Sequence, residues 1–152
     1  MSIPSTTLDT LNDLIEVSKD GEYGFRTSAE HMRDTELQQL LLRRADECAQ
    51  AAAELQSLAA QMGGKVETGG SAAGAMHRGW VAIKATLSGY SDAQILEETE
   101  RGEDVAMKRY AKALQSELTA DARLLVERQY LGVQRNHAQV RELRDRARAA
   151  RP

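Results

Sequence analysis

Proline is missing from the whole stretch between Pro4 and Pro152, and no other property of this sequence restricts its fold as much. A proline inside a helix removes a backbone donor and clashes with the preceding turn, so its absence leaves long helices unbroken. The interior is also rich in Ala, Leu, Glu, Gln and Arg, which lose little freedom on entering a helix. The chain is therefore expected to be all-α, with breaks at "HMRDTEL", "MGGKVETGGS", "LSGYSDAQ" and "SELTADA".

Helix boundaries follow from periodicity and capping signals. Leu8, Leu11, Leu14, Ile15, Ser18, Glu22, Phe25, Ala29 and Met32 recur at steps of three and four, predicting a first helix from about Thr6 to Met32. Thr35 followed by Gln38 reads as a capping box, so a second helix should start near Glu36 and stop at about Met62, before Gly63 and Gly64. Ser91 and Gln94 repeat the signature and open a third helix to about Leu118. A fourth should run from about Ala120 into the arginine-rich tail. Between the second and third helices, "KVETGGSAAGAMHRGWVAIKATLSGY" is too long for a turn and reads as a glycine linker plus a short helix over about Ser71 to Leu87. Two helical hairpins joined by one long crossover give the ferritin-like variant of the four-helix bundle, in a single domain of 152 residues.

Polar residues interrupt the expected inner stripes. Glu22 does so on the first helix; Leu37, Leu40, Arg44, Glu47, Ala51, Leu55 and Leu58 form the stripe of the second, with Gln50 beside Glu47. Leu96, Glu100, Glu103, Met107, Tyr110 and Leu114 form that of the third. Tyr130, Gln134, His137 and Arg141 cluster on the fourth. At 1.5 Å of rise per residue, Glu22, Glu47, Glu100, Glu103 and His137 each lie roughly 13 to 18 Å from one end of the bundle, so they should share a level. Buried carboxylates at one level repel and cost several kcal/mol each unless compensated. Iron or manganese would accept carboxylate oxygens and an imidazole nitrogen there, as a mono- or dinuclear site.

The surrounding phrases "DGEYGF", "MHRGW" with "AIKATLSG", and "EETERGEDVAMKRYAKAL" resemble a bacterial family of ferritin-like four-helix proteins known mainly as a domain of unknown function. The wider superfamily, to which rubrerythrin and bacterioferritin belong, holds a dinuclear centre with a Glu from each of two helices and Glu-x-x-His from each of the others. That resemblance implies metal ligation by Glu22, Glu47, Glu100, Glu103 and His137. It departs at Gln50, where the superfamily has His, and at Gln134, where it has a bridging Glu. Both amides become weak ligands or hydrogen-bonding groups behind the metal, as do Tyr110 and Tyr130. An enzyme of this kind would be an oxidoreductase of ferroxidase or peroxidase type, in stress response or metal handling.

The competing reading is a metal-free bundle acting as an interaction or structural protein, in which Arg44 or Arg141 neutralises the glutamates. The tail "VRELRDRARAARP" suits a helix C-terminus, and Glu142 and Asp145 interrupt it, so nucleic acid is not an expected partner. "GGKVETGGS" lacks the residues of a phosphate-binding loop. His31, His77 and Trp80 are expected to cap, pack or anchor, and Cys48 to behave as a small hydrophobe. With 20 basic and 23 acidic residues interleaved, no global field attracts an anionic partner. One cysteine, no apolar run of membrane-spanning length and no secretion signal point to a cytoplasmic protein without a membrane partner, for which a homo-oligomer is allowed.

Overall fold

Each helix begins where a short polar side chain satisfies its first free amides. In the computed structural model, which describes residues 5–63 and 86–150, four helices are present: α1 (Ser5–His31), α2 (Thr35–Gln61), α3 (Asp92–Gln115) and α4 (Ala120–Ala149). Among the described residues there is no strand. The Ser91–Gln94 capping box forms as the sequence implies, with both reciprocal bonds present. At α2 the cap is Asp34 rather than Thr35: its carboxylate accepts from the Leu37 amide at 3.0 Å. Gln38 instead donates to the Ala29 carbonyl at the end of α1 (2.9 Å). Thr119 caps α4, and α3 ends at Gln115, short of the expected Leu118. Of the short crossover helix expected over about Ser71 to Leu87, only Thr86 and Leu87, both helical, are among the described residues; the rest, with His77 and Trp80, lies outside them.

The direction of the chain follows from one carboxylate. Asp92, at the start of α3, accepts from the amides of Arg33 (2.9 Å) and Asp34 (3.0 Å) in the α1–α2 turn. At the other end, the Thr7 hydroxyl of α1 donates to the Glu117 carbonyl beyond α3 (3.3 Å). Helices α2 and α3 therefore run parallel, and Gln61 and Asp92 sit at opposite ends of a four-helix bundle built from two antiparallel hairpins. The hairpins meet chiefly where α1 packs on α3, whereas α2 and α4 touch sparsely.

The core falls into two parts. Towards the α1 N-terminus, Leu11, Leu14, Ile15, Leu55 and Val126 pack around Tyr110. Towards the α1–α2 turn, Phe25, Met32, Leu41, Ile95, Leu96 and Val140 pack around Leu87. Between them, at mid-height, α1 and α2 approach so closely that a Cβ on Gly21 would lie 2.9 Å from the Cys48 sulfur.

This contact makes a prediction. Alanine is about 1 kcal/mol better than glycine in a helix, but overpacking costs about 1–3 kcal/mol. Gly21→Ala is expected to lower the urea midpoint in the wild-type chain and to raise it when Cys48→Ala has removed the sulfur. Equal effects in the two backgrounds would refute the contact.

Candidate functional site

The Gly21–Cys48 contact fixes the rotation of α1 and α2, and with it which polar residues face inward. On α1 the inner line passes from Ser18 through Gly21 to Phe25 and Ala29, so Glu22 turns to the flank. Its side chain is 32% exposed, and its carboxylate accepts from Arg26 Nη2 (2.9 Å) and Nε (3.1 Å). Arg26 also reaches Asp46 of α2 at 3.0 Å. Glu22 is thus not the inward-facing residue its spacing implies. A step of four from Ser18 selects it, whereas the packing follows a step of three to glycine.

The same displacement by one residue occurs on α2. Its buried line is Leu41, Ala45, Ala52, Leu55 and Ala59, with Cys48 between them. Glu47 is consequently 52% exposed and pairs with Arg44 (2.8 Å) and with the amide of Asn136 on α4 (3.0 Å). Gln50 is exposed. On α3 the inner line is Leu96, Thr99, Glu103, Tyr110 and Ala113. Glu100 leaves it and pairs with Arg144, with little solvent exposure of its own. Of the two arginines expected to neutralise these glutamates, Arg44 does pair with one, Glu47, while on α4 it is Arg144 rather than Arg141 that pairs with another, Glu100. On α4, Gln134 is exposed. His137 Nε2 lies 2.5 Å from Asp104 Oδ1, a partner that spacing did not single out.

Glu103 alone of the five stays deeply buried, at 6% exposure. Its Oε1 has no hydrogen-bond partner among the described residues. Burial, followed by the nearby charges of Glu100, Asp104 and Glu47, pushes its carboxyl up to about 8, while Arg44 acts in the opposite direction. The neighbouring Cys48 thiol is pushed up to about 12 by burial and then by the negative charges of Glu103, Glu47 and Glu22. A thiol so placed stays protonated and unreactive near neutral pH.

These residues line a mid-bundle chamber of about 310 Å³. Val17, Phe25, Ala51, Ala106 and Val133 form apolar walls, and Gly21, Gly102 and Gly132 leave space on three helices. Tyr110 contributes to the lining: its hydroxyl donates to Gln129 (2.8 Å) and lies 3.4 Å from the Ser18 hydroxyl. Burial raises the Tyr110 pKa, and its ring stacks on Tyr130 with centroids 6.4 Å apart. Gln129 is a buried residue that spacing alone missed; its amide reaches the Ala51 carbonyl (3.2 Å) and Glu54 (3.3 Å) on α2. On the side where α2 and α4 touch sparsely, the lining includes exposed Gln50 and Arg135. That opening is framed by two polar bridges, Glu47–Asn136 and Glu54–Arg128 (2.8 Å).

Of the five expected ligands, the structure brings only Glu47 and Glu103 to the chamber. Among the described residues, no three His, Cys, Asp or Glu side chains are placed to hold one metal ion. The donors differ in readiness: Glu103 offers an oxygen with no partner, whereas Glu22, Glu47 and Glu100 are already shared with arginines.

Fold and site together define a class: an all-α four-helix bundle with an acid-bearing chamber at mid-height. The chain belongs to the family described as a domain of unknown function (DUF2383), which it matches over residues 6–116, from α1 to the end of α3. None of the curated proteins compared with it matches. Among the described residues no helix is long and apolar enough to cross a membrane.

The buried carboxyl generates a pH prediction. A carboxyl whose folded pKa exceeds its unfolded value binds its proton more tightly when folded. Its contribution is harmless below the ordinary glutamate value of 4.5, grows more unfavourable as pH rises towards about 8, and is constant beyond. At roughly 1.4 kcal/mol per pKa unit, Glu103→Gln should stabilise the protein by a few kcal/mol at pH 9 and by little at pH 4. Urea unfolding of both proteins across this range checks it; a pH-independent difference would contradict the burial of Glu103.

Proposed function

We propose that this is a single-domain ferritin-like bundle, acting in the cytoplasm, whose working site is the mid-bundle chamber and whose task is to hold a small molecule against Glu103. Parallel α2 and α3, with their joined ends at opposite poles, support the ferritin-like topology. The observation that carries the functional reading is the unpartnered Glu103 oxygen in a chamber with apolar walls from Val17, Phe25, Ala51, Ala106 and Val133. An apolar cavity with few convergent polar groups and a perturbed titratable residue is the usual form of a ligand site, and about 310 Å³ lies at the small end of such sites.

A second reading keeps the metal. Around Glu103 the acids Glu100, Asp104 and Glu47 favour a cation while Arg44 opposes one, and Glu47 and Glu103 together could contribute oxygens to one iron or manganese ion. Glu22, Glu100 and His137 would join them only after leaving Arg26, Arg144 and Asp104. On this reading the activity is that of an oxidoreductase in metal handling or stress. A metal would supply Lewis-acid or redox chemistry when bound, and the chain's own part is to hold the Glu103 carboxyl at the chamber beside Glu47.

Two titrations separate the readings. Neutral 2-phenylethanol, followed by methyl NMR, is expected to shift Ala51, Ala106 and Val133, and to lose that effect in a folded Gly132→Trp variant. Absence of localised shifts would refute the small-molecule reading. One equivalent of Fe(II) or Mn(II), bound by wild type and lost in Glu103→Gln, would instead establish the metal.

A further inference from the structure

We propose that the outer face of α4 is a self-association surface, on which a second copy of this chain lays its own α4 side by side and in the same direction. The inference is independent of the chamber and of what the chamber holds.

Two exposed leucines on one line are its starting point. Ala122, Val126, Gln129 and Val140 are buried and mark the side of α4 turned to the bundle. Leu124 and Leu131 lie on the opposite side, 67% and 59% exposed, and the exposed Ala138 continues their line one heptad further. The other exposed large apolar residues among those described, Leu42 and Val105, stand singly on α2 and α3. Single exposed apolar residues are ordinary, whereas a repeated line of them asks for a cover.

The charges on the two edges of this stripe select a second copy as the cover. One edge carries Glu127, Gln134 and Arg141; the other carries Arg128, Arg135 and Glu142, all of them exposed. About a two-fold axis parallel to α4, each edge of one copy meets the opposite edge of the other at nearly the same height. Glu127 then faces Arg128 of the partner subunit, Gln134 faces Arg135 of the partner subunit, and Arg141 faces Glu142 of the partner subunit, each pair occurring twice. No like charges meet. Turning the second copy end for end about Leu131 would instead set Arg128 against Arg135 of the partner subunit, a like-charge contact that disfavours the antiparallel arrangement.

These edges have capacity to spare. Glu127, Gln134, Arg135 and Arg141 make no side-chain hydrogen bond or ion pair among the described residues. Arg128 pairs with Glu54 yet stays 64% exposed, and Glu142 pairs with Arg146 yet stays 62% exposed. Every facing pair thus contains at least one side chain without a partner in its own copy. With one apolar residue per heptad the seam is narrow, so the dimer is weak and concentration-dependent rather than obligate. Arg135 also lines the chamber, which sets the interface beside the chamber's opening.

Sedimentation equilibrium of the full chain over a range of concentrations, combined with cysteine cross-linking, tests this. Wild type is expected to pass from monomer to dimer as concentration rises. Leu131→Glu, verified as folded by circular dichroism, should weaken the dimer roughly tenfold or more, because two like charges then meet at the axis. For orientation, Leu124→Cys and Ala138→Cys are oxidised separately and as a mixture. Each should form a disulfide-linked dimer by itself, while wild type, whose Cys48 packs against Gly21 inside the bundle, should not. Cross-linking only in the mixture would mean antiparallel helices and overturn the arrangement. A monomer at every concentration, or a dimer undiminished by Leu131→Glu, would overturn self-association through this face and leave the stripe to a different partner.

Discussion

The architecture of this protein turns on one close contact, the passage of Gly21 against Cys48 where α1 crosses α2. Successive residues of a helix are separated by about 100°, so the identity of the seam residue decides what its neighbours face. With Gly21 in the seam, Glu22 is carried to the flank, where Arg26 meets it. With Cys48 in the seam, Glu47 is carried towards solvent and Arg44. Both consequences follow from the absence of a side chain on Gly21: a larger residue would hold the helices apart, and the chamber boundary would change with the rotation.

Charge follows the same geometry. Acids displaced from the inner lines lie within reach of partners on their own or adjacent helices: Glu22 with Arg26, Glu100 with Arg144, Glu54 with Arg128. The more exposed of these pairs contribute little individually, typically less than about 1 kcal/mol, and mainly keep the acids neutralised, whereas Glu100–Arg144 is largely shielded from solvent. Glu103 is different because the inner line of α3 retains it. Its side chain has no arginine bonded to it; burial first, and then Glu100, Asp104 and Glu47, make ionisation harder, against the opposing charge of nearby Arg44. The bundle thus sorts its carboxylates into several that are compensated at the flanks and one whose compensation must come from a proton or from something in the chamber.

How far this could be read in advance differs by level. The absence of interior proline and the recurrence of leucine at steps of three and four sufficed for four helices, their approximate ends and their pairing into hairpins. Capping was legible at Ser91, whose reciprocal bonds are local, but not at α2, where Asp34 and Thr35 are both good caps and the tertiary contact of Gln38 with Ala29 decided between them. Rotation was the hidden variable. Steps of three and of four both keep a residue near one face, so a carboxylate beside a glycine or a cysteine satisfies the same periodicity as the small residue that packs. Glu103 was legible because both alternatives on α3 agree on it. Gln129 was not, since a glutamine makes a weak apolar-pattern signal and its partners, Tyr110 and Ala51, lie on other helices. Mid-helix Gly21, Gly102 and Gly132 were the available signal: each costs helix stability, and none stands at a helix end.

Those glycines and the buried acid share one level of the bundle, and that coincidence argues against accident. Each interior glycine forgoes roughly 1 kcal/mol of helix propensity, and a buried carboxyl without a hydrogen-bond partner costs more. Elsewhere the chain makes the choices that stability favours: Asp34, Ser91 and Thr119 as caps, leucines in both parts of the core, basic residues in the last turn of α4. A sequence that obeys packing and capping rules at both ends and departs from them in the middle concentrates its departures where function makes the demand. The departures are also of complementary kinds. Three missing side chains create volume, and one carboxyl, left without a protein partner, gives that volume a polarity.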